Sequence, residues 1–329
     1  MSIVFFAALC ALGAFAVAVA QSQSRPSANT SATEKRHRVM IALCVAVLSS
    51  VVIWVLARGW DYYLLGQMQR PFSPKHAELR PSGTVGLRLG FLGLFLFGLV
   101  YLYPLRKHWR WLSKKGKTRH WLDYHIVLGL VAPAVISLHS SFKFQGFAGM
   151  AYWTMLALTG SGIVGRYLYA QVPKSLGAAE MSLKELGDFS SQLSSKLHAQ
   201  NVLPVPQAEL LFRLPSKEKV ARMPIIVALL WMMALDVVRP FRIWKLRRNA
   251  PGAGSRWRTL GGVLRTRNAE LEKAIAMARK QTGLSKKILF LARTERVFHL
   301  WHVVHRPFSY TFAILVIIHI SVVMLLGYF

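Results

Sequence analysis

Apolar residues in this 329-residue chain gather into long blocks instead of alternating with polar ones. Five blocks, 39–57, 85–103, 122–141, 149–169 and 307–327, each hold 19 to 21 residues. That length carries a helix across a hydrocarbon core of about 30 Å. In lipid a helix satisfies all its backbone polar groups internally, so each block reads as a spanning helix. A sixth block, 2–20, ends in Ala-Val-Ala-Gln, which resembles a signal-peptidase site. No Lys or Arg precedes it, so it reads as a retained anchor in preference to a cleaved signal.

The interval 170–306 breaks this rhythm. Residues 181–200 place Leu183, Leu186, Phe189, Leu193 and Leu197 near one helical face. An apolar run at 224–238 is short for a span and contains Asp236. Residues 266–282 read as a further helix, followed by an apolar-basic stretch at 286–298. Pro251-Gly252-Ala253-Gly254 and Gly261-Gly262 mark turns. Arg-Pro-Phe occurs at 70–72, 239–241 and 306–308, each time at an expected membrane boundary, and reads as helix-end punctuation with an interfacial anchor.

Composition agrees with the blocks. The chain is 53% hydrophobic yet carries 42 Lys and Arg against 13 Asp and Glu, a formal charge of +29. So apolar a chain is hard to keep in water, and no nucleic-acid motif accompanies its charge. A membrane protein reconciles the two by holding Lys and Arg in cytoplasmic loops. Loop 104–121 has seven basic residues and no acid, and 21–38 has four against Glu34. Placing both loops in the cytoplasm puts both termini outside, His125 at the cytoplasmic end of its helix and His139 near the outer face. Residues 239–296 hold sixteen basic residues against three glutamates. The run 224–238 is therefore read as interfacial, re-entrant or packed, in preference to a span.

The expected fold is all-α: a polytopic transmembrane helical bundle of about six spans with a basic helical cytoplasmic insertion. Its parts would be an N-terminal two-helix anchor with an outer loop (1–84), a first haem-binding part (85–169), a basic cytoplasmic region (170–298) and a C-terminal haem-binding helix (299–329).

The chemistry rests on histidine. Cys10 and Cys44 are the only cysteines, too few to hold an iron–sulfur cluster, and no CxxCH tether for covalent haem is present. His125 and His139 are fourteen residues apart, and so are His305 and His319. Fourteen helical residues bring two side chains back to within ~40° of one face and ~21 Å apart along the axis. Two such helices side by side offer two stacked bis-histidine sites, and haem iron accepts axial histidines. If 224–238 does not span, the helices run parallel and His125 pairs with His305, His139 with His319. If it spans, the pairs are His125–His319 and His139–His305. Ionisable residues inside a membrane are costly and usually functional, which gives the repeated interval its weight. His299 and His302, which complete an HxxHxxH run with His305, read as polar residues on an interfacial turn.

Gly129 and Ala132 share the face between the first pair and leave room for a porphyrin edge, while Pro133 introduces a kink. Gly160, Gly162 and Gly165, with Gly86, Gly90, Gly93 and Gly98, serve either cofactor room or close helix packing. Haem propionates need cations: Arg166 and Arg306 stand at the cytoplasmic end, Arg88 and Lys143 near the outer end. Each also fits plain interfacial snorkelling.

Two membrane helices with histidines at this interval resemble the diheme b-type cytochromes, such as cytochrome b of the quinol–cytochrome c reductases and the transmembrane part of ferric reductases. The resemblance covers roughly 85–169 and 299–329 and rests on the four histidines. It implies two non-covalent b haems on His125, His139, His305 and His319, with electrons passing across the membrane and a quinone commonly involved. Departures limit it. His305-Arg306-Pro307-Phe308-Ser309 resembles the flavin motif of ferric reductases only superficially, because an arginine interrupts it and it opens a membrane helix. No strand–GxGxxG–helix unit offers a nicotinamide site, and the chain ends two residues after its last span, so the donor is expected on another subunit or as a quinol.

The leading expectation is an electron-transfer subunit of an oxidoreductase complex, in a bacterial inner membrane. It would be served by an iron–sulfur, flavin or cytochrome c type partner, with anionic lipids at its basic face and no nucleic acid. The alternatives are a haem-free anchor or assembly subunit that docks soluble redox partners, and a His-lined metal-ion transporter. The spans' poverty in acids disfavours the transporter.

Overall fold

The computed structural model describes residues 32–171, 217–249 and 269–328, and its regular elements there are all helical. In chain order they are α1 (Ala32–Leu64), α2 (His76–Leu79), α3 (Thr84–His108), α4 (Arg110–Ser113), α5 (Thr118–His139), α6 (Gly146–Gln171), α7 (Lys217–Arg222), α8 (Ile225–Asn249) and α9 (Ala269–Leu325). A 3-10 turn occupies Arg70–Phe72. Among the described residues five stretches are long and apolar enough to cross a membrane: α1, the stretch His76–His108 containing α3, α5, α6 and Arg296–Leu325 of α9. They coincide with five of the six apolar blocks, and the architecture is that of an all-α polytopic membrane protein. The block 2–20 and the segment 181–200 lie outside the described residues.

The chain forms two compact units, 1–164 with 304–329, and 165–303, whose limits fall inside α6 and α9. In the first unit α1 and α5 run parallel. His37 meets Asp123 at 3.2 Å and His120 meets Glu34 at 3.4 Å, both across 86 residues. At their other end the Tyr63 and Phe142 rings meet edge to face. Helix α6 runs antiparallel to α5, with Ser137 and Tyr152 hydroxyls at 2.8 Å and the Thr159 hydroxyl donating to Gly129 O at 3.3 Å. The 304–325 part of α9 runs antiparallel to α3: Tyr101 donates to Ser309 O at 2.5 Å, and Phe97 packs on Phe312.

Close approach of α3 and α5 depends on small residues. A Cβ on Gly93 would fall 2.3 Å from Ile136 Cδ1. The interface is otherwise a dry seam that includes Leu89, Leu96, Val135 and Leu138. The connection between α1 and α3 is pinned by Arg70, only 3% exposed. Its guanidinium donates to the carbonyls of Leu65, Tyr63 and Ser141 and lies over the Tyr62 ring. Burial lowers its proton affinity, but the three carbonyls give the charge the partners a buried ion needs.

In the second unit α8 and the 269–303 part of α9 form an antiparallel pair. Thr294 faces Met232, Lys286 faces Asp236, and Arg247 donates to Glu272 at 2.7 Å. The Asp236 carboxylate takes Lys286 Nζ at 2.6 and 2.5 Å and the Tyr167 hydroxyl at 2.8 Å. The run 224–238 is thus helical as α8, and it is not among the five candidate spans.

One expectation needs correcting. From Ala269 to Leu325 the expected helix at 266–282, the stretch 286–298 and the span 307–327 merge into a single 57-residue helix, α9. Pro307 lies inside it, as Pro240 lies inside α8. Two of the three Arg-Pro-Phe triplets therefore do not end helices. A proline costs one backbone bond, and neighbouring packing in membrane helices compensates for it.

Candidate paired-histidine sites

His125 and His139 face α3 from the two ends of α5. His125 Nδ1 lies 2.9 Å from Val100 O, and His139 Nδ1 lies 2.8 Å from Gly86 O. A carbonyl oxygen only accepts, so Nδ1 carries the proton in both rings and Nε2 keeps its lone pair. Among the described residues neither Nε2 has a hydrogen-bond partner. A histidine that donates through one ring nitrogen and offers the other is oriented as a metal-binding imidazole usually is. The two acceptors on α3 are themselves fourteen residues apart, so antiparallel α3 holds both rings in the same way.

The second pair lies on the part of α9 that belongs to this unit. His305 Nδ1 meets the Ser161 hydroxyl at 2.7 Å. His319 lies within electrostatic reach of His139. Since α6 runs antiparallel to α5, Ser161 stands near the level of His125, which places His305 at that end. Helices α5 and α9 are accordingly parallel here. His125 and His305 occupy the end bearing the basic loop 104–121, and His139 and His319 the opposite end.

Space accompanies the rings. A Cβ on Gly90 would lie 2.8 Å from His139 Cε1, so only glycine admits the ring there. Gly129 is half-buried on the face between His125 and His139, yet a Cβ on it would meet nothing within 4 Å. Gly86 serves another purpose, since its Cβ would strike Arg80 O at 2.0 Å. Gly165 likewise accommodates Trp301, whose ring would lie 2.2 Å from a Cβ. Arg88, Lys143 and Arg306 are exposed, and Arg166, in the second unit, is half-buried with its guanidinium over Tyr169. Among the described residues no three His, Cys, Asp or Glu side chains gather as a metal-holding group. A bis-histidine haem site requires two.

At the basic end of α1 and α5 the structure shows a cluster that sequence reasoning missed. His37 and His120 stack at 3.8 Å, and each also meets a carboxylate, Asp123 and Glu34 respectively. Asp123, two residues before His125, is therefore turned to α1. The two histidines are 83 residues apart, so only the pairing of α1 with α5 could have revealed them.

No family model matches this chain, and no curated protein or solved structure matches it either.

Proposed function

We propose that this protein is a membrane b-type cytochrome subunit that carries electrons across the bilayer through two bis-histidine haems. His125 and His305 would hold one haem and His139 and His319 the other. The observation that carries the reading is the Nδ1–H bond of His125 to Val100 O and of His139 to Gly86 O, which leaves Nε2 available on both rings. The open space at Gly129 fits a flat cofactor on that face. The haem irons would supply one-electron chemistry. The chain's own residues orient the imidazoles and keep the surroundings dry.

The basic loop 104–121 supports a cytoplasmic position for the His125 end, with both termini outside and a bacterial inner membrane as host. A redox subunit of iron–sulfur, flavin or cytochrome c type would exchange electrons with it, and a quinone could serve at the inner face. A reduced-minus-oxidised spectrum with a pyridine haemochrome assay on purified protein tests this reading. Two b haems per chain support it. A well-folded, haem-supplied preparation with none removes it and leaves the haem-free anchor or the transporter.

A further inference from the structure

Helix α8 is apolar on two opposite faces, and among the described residues only one is covered. Ala228, Met232 and Ile243 are buried in the second unit, on the same side as Asp236. On the other side Ile226, Leu230 and Phe241 are 72%, 60% and 64% exposed, and Trp231, Val237 and Val238 are exposed beside them. At 100° per residue these six fall within a stripe ~140° wide, centred opposite the buried face. The stripe forms a shallow groove that ends at Arg242. A helix apolar all round is covered on every side, yet α8 is not a candidate span.

We propose that the free stripe of α8 lies in the inner leaflet of an anionic membrane, with Arg242 at the phosphate level. Three observations select lipid as the occupant. After Asp236 the helix carries five basic residues and no acid; Arg239 and Arg247 meet Asp236 and Glu272 on the covered side, whereas Arg242 is exposed where the groove ends. Hydrocarbon followed by phosphate is what an anionic leaflet presents in that order. Trp244 lies just past the C-terminal end of the stripe, and tryptophan favours the membrane–water boundary. Met232 faces Thr294, two residues before the candidate span Arg296–Leu325 begins. The middle of the stripe thus stands at the level where α9 starts its apolar stretch. The proposal is independent of haem.

Leu230→Cys and Phe241→Cys, each in a chain with Cys10 and Cys44 replaced by serine, would carry a nitroxide into vesicles of phosphatidylcholine with and without phosphatidylglycerol. Both positions are exposed, so the labels disturb no packing, and each checks the other. Oxygen should relax the label more than a water-soluble nickel chelate does. Phosphatidylglycerol should raise the ratio of lipid-exposed to water-exposed label by about fivefold per basic side chain, and Arg242→Glu should lose that gain. Greater access for nickel overturns the proposal. So does protection from both reagents, which would mean a protein cover, or dipolar broadening between labelled copies, which would mean a second chain.

Discussion

The ring of His139 lies against the bare α-carbon of Gly90, where a Cβ would come within 2.8 Å of Cε1 and 3.0 Å of Nδ1. The ring is also held by Gly86 O on the same helix, so it has one place to be. Gly90→Ala should push the imidazole from that carbonyl and cost about 1–3 kcal/mol as overpacking. If the parent binds two haems as proposed, a haemochrome assay should then find one.

On the proposed two-haem reading, parallel α5 and α9 pair the ligands: His125→Ala and His305→Ala should each remove the same haem, and His139→Ala and His319→Ala the other. Redox titration of each variant should show a single wave, identical within each pair. Identical waves for His125→Ala and His319→Ala would instead indicate the crossed arrangement.

The glycines divide by what surrounds them. Gly165→Ala meets the Trp301 ring at 2.2 Å, and should destabilise by about 2–3 kcal/mol. Gly160→Ala and Gly98→Ala meet nothing within 4 Å, and should be neutral or gain up to about 1 kcal/mol from helix propensity. Thermal midpoints in detergent distinguish the two groups.

Asp236 is the carboxylate that Lys286 reaches, and the lysine is 3% exposed. Asp236→Asn leaves a buried ammonium without its counter-charge and should cost about 3 kcal/mol, while Asp236→Leu with Lys286→Met should recover most of it. Burial holds the Lys286 ammonium below its usual range, and Asp236 opposes that shift. Between the lowered folded value and the ordinary value of about 10.4, the unfolded chain binds more protons, so stability rises with pH. The rise should start at lower pH in Asp236→Asn, and the Lys286 contribution should vanish in Lys286→Met.

Asp123 engages His37 at 3.2 Å and is only partly buried. Asp123→Asn should cost about 1 kcal/mol or less, because a neutral amide can keep a hydrogen bond to the imidazole. If the carboxylate also passes protons to a quinone, quinol oxidation should fall in this variant with both haems retained. Unchanged oxidation would separate Asp123 from quinone chemistry.

Much of the helical scaffold was legible because lipid imposes a length on apolar blocks, and the histidine interval was legible because helical periodicity is simple. Their partners were not. Val100 and Gly86 bind the rings through backbone carbonyls, which have no side-chain signature. The continuity of α9 was hidden by Pro307, a residue that breaks most helices and is tolerated where neighbouring helices compensate. Arg70 sits in what reads as a polar loop, and its burial depends on three carbonyls that come together only when the ends of α1 and α5 meet. Its Arg-Pro-Phe triplet was the available signal, and the two other copies, inside helices, show how ambiguous that signal is.

The two halves of the histidine constellation are also separated in time. His139 and His319 are 180 residues apart in the chain. At about 5–20 residues per second, synthesis leaves α5 and its two imidazoles waiting roughly 10–40 s for their counterparts. The last apolar stretch of α9 is thus the closing piece, and anything the four rings hold together is captured only after nearly the whole polypeptide has been made. Truncation within α9 should yield an inserted but empty bundle.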